Sequence, residues 1–484
     1  MAWFAANNAW LSRLVIQRGT AAIYLVAFAA ARNQFPALLG ERGLLPASRF
    51  VRAVPFKRSP SLFHLGYSDR RLAAVAWGGM AISAAALVGL LDHVPTAIAI
   101  VAWLILWVLY LSIVNVGQTF YGFGWESLLL EAGFLVAFLG NDRVAPPVLI
   151  IWLARWLVFR LEFGAGLIKL RGDRCWRDLT CLYYHHETQP MPNPFSWYFH
   201  RLPKPLHRLE VAANHATQLA VPFALFAPQP VADVAGVCIV VTQGWLMLSG
   251  NFSWLNALTM VLAFSAFDDD LLHHLLPVGH PAAGSPGWFQ VVVLLVAAVI
   301  LGLSYWPARN LISKGQRMNA SFNPLHLVNT YGAFGSITRT REEIVVEGTN
   351  AGELNGDTVW VEYEFKGKPT DPRRRPPQVA PYHLRLDWLM WFAALSPGYA
   401  DGWFGPFLVR LLENDGPTLR LLKRNPFPDH PPTYVRARLF RYRFTSRAER
   451  RETGAWWHRT FIGDYVRPLG AADMTGRRRG SMTG

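Results

Sequence analysis

An apolar stretch between residues 144 and 170 contains side chains that could do chemistry. These are Arg155, Arg160, Glu162 and Lys169. Arg155, Glu162 and Lys169 are spaced seven residues apart, so they fall on one face of a helix. A buried lysine near a carboxylate can act as a general base, because desolvation lowers the pKa of its amine. The same set is also typical of a structural ion network, and the residues leave both interpretations open.

The helix that carries these charges must place them inside a protein bundle. A charge at the centre of a bilayer costs at least ~2.5 kcal/mol, so lipid cannot be their neighbour. Glu126 and Glu131, on the preceding apolar stretch, are the expected partners of the arginines. Lys169 ends its stretch, where a lysine side chain can also extend toward the membrane surface. Lys169, Glu162 and Arg155 are therefore the candidate catalytic residues.

Polar and aromatic residues are concentrated in the segment that follows, residues 171–210. Its prolines and aromatic residues together predict an ordered loop at the membrane surface. Its candidate binding residues are Arg171, Asp173, Trp176, Arg177, Asp178, His185, His186, Glu187 and Asn193. We expect no metal site, because adjacent histidines point in different directions and no HExxH spacing occurs. The spacing of Cys175 and Cys181 permits a small disulfide or two thiols, and we expect thiols.

Composition divides the chain into a membrane part and an aqueous part. Of its 484 residues, 52% are hydrophobic and 16% are charged, against roughly 25% charged in an ordinary soluble protein. No charge occurs between Pro95 and Gly117, whereas residues 366–385 contain many. The net charge of +15 favours anionic membrane lipids as partners, since no nucleic-acid-binding signature is present. Hydrolase, P-loop and dinucleotide-binding signatures are also absent, and we expect no cofactor.

The predicted fold class is a polytopic α-helical membrane protein with about seven to nine transmembrane helices and a C-terminal, strand-rich α+β soluble domain. The clear spans are Leu72–Leu91, Thr96–Gly117, Val144–Leu170, Val231–Ser249 and Trp288–Trp306. Shorter or interrupted runs are Thr20–Leu39, Trp125–Gly140, Val211–Ala227 and Phe252–Phe267. The predicted transmembrane domain covers residues 1–318, the soluble domain 319–470 and a disordered tail 471–484.

The soluble domain shows both strand and helix patterns. Alternating apolar residues predict strands at Ile344–Glu347 and Val359–Lys366. A third strand, Tyr434–Phe444, changes the phase of its apolar residues, which predicts a β-bulge. Leu384–Leu395 and Phe404–Glu413 are predicted to be helices.

The stretch from Phe163 to Pro222 resembles the lipase maturation factor family. It contains GAGLIKLRGDRCWRDLTCL and YHHETQPMPNPFSWYFHRLP, followed by an HRxExxxNH pattern at His207, Arg208, Glu210, Asn214 and His215. His207, Asn214 and His215 therefore join the candidate binding residues. The resemblance continues in SGNFSWLNALTM (Ser249–Met260), NTYGAFGSITRTREEIVVEG (Asn329–Gly348) and WWHR (Trp456–Arg459). It covers roughly residues 10–470.

The resemblance implies a membrane protein that assists folding and dimer assembly of secreted lipases, with a lipase or another secreted protein as its client. In animals this family lies in the endoplasmic reticulum membrane, and a bacterial member would lie in the plasma membrane. AGLIKL at Ala165–Leu170, followed by Trp176, is also similar to the vitamin K-dependent carboxylase and its transmembrane relatives. There, the lysine at the position of Lys169 is the catalytic base. The alternative function is therefore a carboxylase-like membrane enzyme; a transporter is disfavoured because paired interrupted helices are absent.

Two arguments disagree about the side on which the soluble domain lies. With nine spans, residues 40–71, residues 171–210 and the segment after Trp306 share one side. They carry far more Lys and Arg than the opposite side, which has Arg13, Arg18 and Arg143. Basic flanks resist translocation, so charge bias predicts a cytoplasmic domain and reduced Cys175 and Cys181. The family resemblance implies the lumenal side, which is equivalent to the outside of a bacterium.

Overall fold

The structure is a computed structural model that describes residues 3–277, 284–470 and 473. Residues 10–312 are mainly helical and are called the helical domain. Its helices are α1 (Trp10–Leu39), α2 (Ala47–Ala53), α3 (Asp69–Leu87), α4 (Leu90–His93), α5 (Thr96–Asn115), α6 (Gly124–Val136), α7 (Val148–Arg171), α8 (Arg174–Arg177), α9 (Leu182–Thr188), α10 (Ser196–His200), α11 (Lys204–Leu219), α12 (Val221–Ala224), α13 (Val231–Ser249), α14 (Leu255–Ala263), α15 (Asp269–Leu272), α16 (Gly287–Leu303) and α17 (Tyr305–Ile312).

Four helical segments of the described chain are long and apolar enough to cross a membrane. They are Trp10–Leu39, Thr96–Asn115, Val231–Ser249 and Gly287–Ile312. The predicted number of seven to nine is therefore not confirmed. Helix α7 has sufficient length, but charged residues interrupt its apolar sequence. The predicted span Val211–Ala227 is broken, because α11 ends at Leu219 and Pro222 follows in a separate short helix.

Helix α6 occupies the predicted run Trp125–Gly140 but is enclosed by protein. It has 13 residues, about 20 Å at 1.5 Å per residue, which is too short to cross a bilayer. Both of its glutamates, Glu126 and Glu131, are buried. The two carboxylates therefore lie in the centre of the bundle, where they need partners within the protein.

The C-terminal domain combines a sheet with short helices. Its elements are β1 (Arg341–Thr349), β2 (Val361–Glu362), β3 (Glu364–Phe365), α18 (Arg385–Leu395), α19 (Phe404–Leu412), α20 (Gly416–Leu419), β4 (Leu422–Arg424), β5 (Tyr434–Phe444), α21 (Arg447–Thr453) and β6 (Trp457–Gly470). The main sheet is antiparallel with the order β2-β1-β5-β6, and β3 pairs with β4 separately.

Most predicted elements of this domain are confirmed. The strand at Tyr434–Phe444 is β5, and its register against β6 shifts at three places, as the predicted bulge requires. The prediction of one strand at Val359–Lys366 is wrong. The chain splits at buried Tyr363, so that β2 joins the main sheet while β3 turns away to pair with β4. The predicted disordered tail, residues 471–484, lies outside the described residues except for Asp473.

Buried polar contacts around Arg385 join the C-terminal domain to the helical domain. Arg385 Nη1 donates to Glu126 Oε1 at 2.7 Å and to the carbonyl oxygen of Phe120 at 2.8 Å. Gln34 on α1 accepts a hydrogen bond from the Arg385 backbone N–H at 2.9 Å and donates one to the carbonyl of His383 at 2.6 Å. These contacts fix α18 against α1 and α6.

Candidate functional site

A cavity of about 880 Å³ lies where the helical domain, the loop 171–210 and the C-terminal domain meet. Helices α7, α11, α13 and α14 form one wall, α9 a second and α18 a third. Its large apolar residues include Trp125, Trp176, Trp245, Trp388, Trp391 and Phe392. Its polar residues include Glu162, Lys169, Asn214, Gln218, Gln243 and Asn256. A few polar groups among aromatic walls are typical of a pocket for an apolar ligand or side chain.

The polar residues form one hydrogen-bonded network, here called the cavity cluster. Lys169 Nζ donates to Gln218 Oε1 at 2.7 Å, and Gln218 Nε2 donates to Glu162 Oε2 at 3.2 Å. Gln243 Nε2 donates to the other Glu162 oxygen at 2.6 Å, and Gln243 Oε1 accepts from Asn256 Nδ2 at 2.6 Å. Lys169 and Glu162 are 6% and 1% exposed. A glutamine therefore bridges two buried opposite charges, which share the cavity without a direct ion pair.

Arg155 does not join Lys169 and Glu162. All three have polar partners within the protein, as their spacing predicts. Arg155, however, is half-buried and donates to the backbone carbonyls of Ser265 and Leu225 at 2.7 and 3.0 Å. It is not among the described residues that line the cavity. Its guanidinium therefore ties three segments of backbone together rather than contributing to the cavity cluster.

Of the two glutamates predicted to pair with arginines of α7, one does so. Glu131 forms a buried ion pair with Arg160 and accepts the O–H of Tyr331 at 2.7 Å. Glu126 instead pairs with Arg385 of the C-terminal domain, so the expectation of an arginine on α7 is wrong for it. That partner could not be read from helix spacing, because it lies in the other domain.

Trp176 connects the loop 171–210 to the cavity cluster. Its indole N–H donates to the carbonyl of Phe334 at 2.8 Å, and the Lys169 ammonium lies 5.1 Å from its ring centroid. The carbonyl of Trp176 lies 3.0 Å from His215 Nε2. Asn214, which precedes His215 on α11, donates a hydrogen bond to Gln218 Oε1 at 3.2 Å. The loop and α11 therefore hold the lysine between an amide and an aromatic face, a favourable arrangement for a cation.

The remaining loop candidates shape the loop or lie on its surface. Asp173 accepts from Arg339 Nη2 at 2.9 Å, and this hydrogen bond lowers the pKa of its carboxyl. Asn193 accepts two backbone N–H groups within its own turn, and Glu187 accepts the N–H of Phe444 at 2.6 Å. The candidates exposed to solvent are Arg171, Arg177 and Asp178. These residues are not among the described lining residues of the cavity.

Cys175 and Cys181 form a disulfide, so the prediction of two thiols is wrong. Cys175 lies in the short helix α8, and after this helix the N–H of Thr180 bonds back to the Cys175 carbonyl at 2.8 Å. This turn brings the two Cα atoms to 4.8 Å, within the range of disulfides. The prediction depended on charge bias, which carries no information about local geometry.

The adjacent histidines point in different directions, as predicted. The ring of His185 packs against Phe334 at 5.0 Å, and burial lowers the pKa of His185 to about 3. The ring of His186 faces His207, with centroids 5.6 Å apart. His186, His207 and Glu210 form a group that could hold a metal ion, since one ligand atom from each lies within 4.8 Å of the others. The sequence signal for this group is the i, i+3 spacing of His207 and Glu210 on α11, but this spacing does not identify His186 on α9 as the third member.

Comparisons with known proteins agree over nearly the whole chain. Residues 11–274 match the family model for the lipase maturation factor transmembrane domain, and residues 327–467 match the model for the lipase maturation factor C-terminal domain. Lipase maturation factor 1 of Bos taurus is 42% identical, covering 97% of this chain and 91% of the relative. Lipase maturation factor 1 of Homo sapiens is 41% identical (96% and 89%), and lipase maturation factor 2 of Rattus norvegicus is 30% identical (95% and 83%). No solved structure matches the chain.

Proposed function

Because the chain belongs to the lipase maturation factor family, we propose that it assists the maturation of secreted client proteins, lipases among them. The observation that carries this proposal is the apolar cavity shared by the two domains. An incompletely folded client exposes apolar side chains that its native fold later buries. A cavity of about 880 Å³ fits a few such side chains rather than a whole domain. The client is therefore held by one short segment and released when that segment folds.

The rim of the cavity suits the approach of such a segment. It contains exposed apolar side chains, namely Leu206, Leu209, Trp245, Leu395 and Tyr399. Contiguous exposed apolar residues mark surfaces that bind proteins or membranes. Because residues of both domains form this rim, a client bound there contacts α11 and α13 on one side and the end of α18 on the other.

Two alanines on α11 offer a matched test of the cavity. Ala213 and Ala216 are both exposed, but Ala213 is among the described lining residues and Ala216 is not. We expect Ala213→Trp to lower the secretion of active lipase at least about tenfold, equivalent to losing about 1.4 kcal/mol of client binding. Ala216→Trp should leave it unchanged. The measurement is lipase activity in the medium of cells that lack their own maturation factors and co-express a secreted lipase.

The amount of each variant in the membrane fraction is the control for folding. Equal lipase secretion by the two variants at equal membrane levels would contradict a role for the cavity. Loss of secretion with both variants would assign the effect to the surface of α11 instead.

The loop 171–210 and the C-terminal domain lie on the oxidising side of the membrane in this proposal. The disulfide between Cys175 and Cys181 supports it, because structural disulfides persist outside the cytosol. That side is the lumen of the endoplasmic reticulum in a eukaryote and the exterior of the plasma membrane in a bacterium. Cysteines introduced between residues 350 and 380 should react with an impermeant maleimide on sealed, correctly oriented membranes. Labelling only after permeabilisation would restore the cytoplasmic assignment.

Two further sequence predictions concern the carboxylase-like alternative and the number of transmembrane spans. Lys169 donates to Gln218, and the named relatives are maturation factors, so we propose maturation rather than the carboxylase-like alternative. The number of spans, seven to nine, stays a prediction. Helices α3 and α7, with 19 and 24 residues, are long enough to add to the four apolar segments.

A further inference from the structure

Three metal-binding side chains meet beside the cavity, where α9 packs on the beginning of α11. His186 comes from α9, and His207 and Glu210 come from α11. Residues three apart on a helix are neighbours on its surface, so His207 and Glu210 point to the same place. His207 Nδ1 lies 3.8 Å from Glu210 Oε2, and the ring of His186 lies 5.6 Å from that of His207. One ligand atom from each residue lies within 4.8 Å of the other two.

These polar atoms are buried without a hydrogen-bond partner. His186 and His207 are 1% and 2% exposed. Both ring nitrogens of each histidine, and Oε2 of Glu210, lack a partner among the described residues. Leaving one buried polar atom unsatisfied costs about 1–3 kcal/mol, so five such atoms at one place call for a bound species.

The surroundings favour a metal ion over another hydrogen-bonding group. A neutral imidazole offers one nitrogen lone pair to a metal, so His186 and His207 can each supply one ligand atom. Glu210 Oε1 accepts the indole N–H of Trp245 at 2.6 Å, which leaves Oε2 directed at the histidines. Hydrogen bonds of this kind orient carboxylate ligands in metal sites. Phe199 and Tyr183 cover the rings of His186 and His207 at 5.6 and 5.9 Å.

We propose that His186, His207 and Glu210 form a binding site for a divalent metal ion of the zinc class. Two imidazoles and one carboxylate are a donor set that zinc prefers. Bonds of about 2.1 Å in a tetrahedral site place the donor atoms about 3.4 Å apart. The ligand atoms here lie within 4.8 Å of one another, so small side-chain rotations bring them to that distance. His186 and Glu210 also line the cavity, and the fourth coordination position therefore opens toward it. The ion ties α9 to the beginning of α11 and thereby shapes one cavity wall.

The direct test measures metal bound to the full chain. The protein is purified in detergent without a polyhistidine tag, incubated with Zn²⁺, dialysed and analysed by mass spectrometry for metals. We expect about one zinc per chain. The double variant His186→Ala/His207→Ala should retain none. The matched control His273→Ala/His274→Ala changes two adjacent exposed histidines near α15 and should retain the wild-type amount.

A milder variant keeps the test decisive if the double variant does not fold. Glu210→Gln preserves an oxygen for the Trp245 indole and should weaken zinc affinity at least about tenfold. Zinc should also raise the thermal midpoint of the wild type, and raise that of Glu210→Gln less. Co²⁺ in place of Zn²⁺ should give the visible absorption of a four-coordinate site. A wild type that retains no zinc after dialysis, or equal retention in Glu210→Gln and wild type at limiting zinc, would overturn the proposal.

Discussion

Two buried ionic regions of the molecule are built in opposite ways. At the domain junction, Arg385 contacts Glu126 directly, and both side chains are fully buried. In the cavity cluster, Gln218 separates Lys169 from Glu162, and all three line an open space. A direct, fully buried ion pair fixes packing, whereas a bridged pair beside a cavity leaves its groups accessible to a ligand. The junction is therefore structural, and the cavity cluster is the better candidate for function.

The largest expected effect comes from breaking the junction. Arg385→Met leaves the Glu126 carboxylate buried without its counter-charge and should destabilise the protein by about 3–5 kcal/mol. The measurement is thermal unfolding in detergent followed by tryptophan fluorescence. The control is Arg441→Met, whose side chain is 56% exposed and pairs with Glu342 at 3.5 Å. It should change stability by less than about 1 kcal/mol. Similar midpoints for both variants would show that the junction pair is not structural.

The disulfide next to the cavity-lining residue Trp176 should contribute the next largest effect. Cys175→Ser/Cys181→Ser removes a short closed loop and should destabilise the chain by about 2 kcal/mol. A reductant should lower the unfolding midpoint of the wild type to that of the variant and leave the variant unchanged. Cys238→Ser, which replaces a half-buried free thiol, is the control. A wild type insensitive to reductant, with free thiols at both positions, contradicts the disulfide.

The histidine in the cavity wall should make stability depend on pH. Burial lowers the pKa of His185 to about 3, whereas an unfolded histidine titrates near about 6.5. The unfolded chain therefore binds more protons between these values, and stability falls as pH decreases below about 6.5. At pH 5 this loss is about 2 kcal/mol. His185→Phe should remove that part of the pH profile, while His458→Phe on the exposed face of β6 should not. Parallel profiles for His185→Phe and wild type would contradict the burial of a neutral ring.

The smallest effect on stability is expected within the cavity cluster. Lys169→Ala removes one hydrogen bond from Gln218, which keeps its bonds to Glu162 and Asn214, and should cost about 1 kcal/mol. We expect normal membrane levels and reduced lipase secretion in the co-expression assay. Arg171→Ala, an exposed residue two positions later, is the control. Wild-type secretion by Lys169→Ala would leave the lysine only a structural role.

Local patterns were enough to predict the elements whose cause is local. The uninterrupted apolar residues of α5 and the alternation in β5 each specify one structure, and the phase change in β5 indicated its bulge. The charges on α7 also required partners within the protein, and Glu131, one of the two glutamates expected to pair with its arginines, does pair with Arg160.

Contacts between distant segments could not be predicted in this way. Arg385 reaches Glu126 across 259 residues, and nothing in either local pattern indicates the other. The group of His186, His207 and Glu210 depends on how α9 packs against α11. The division of Val359–Lys366 between two sheets depends on β4, which lies later in the chain. Periodicity identifies the face that a residue occupies, but not the segment that covers it.

The junction also imposes an order on biosynthesis. Glu126 is translated 259 residues before Arg385, the arginine that pairs with its carboxylate. Translation proceeds at about 5–20 residues per second, so the Glu126 carboxylate lies without Arg385 in the growing chain for roughly tens of seconds. A nascent chain that stops before α18 never receives it. The helical bundle of this protein therefore reaches its final state only after residue 385 of 484 has been translated.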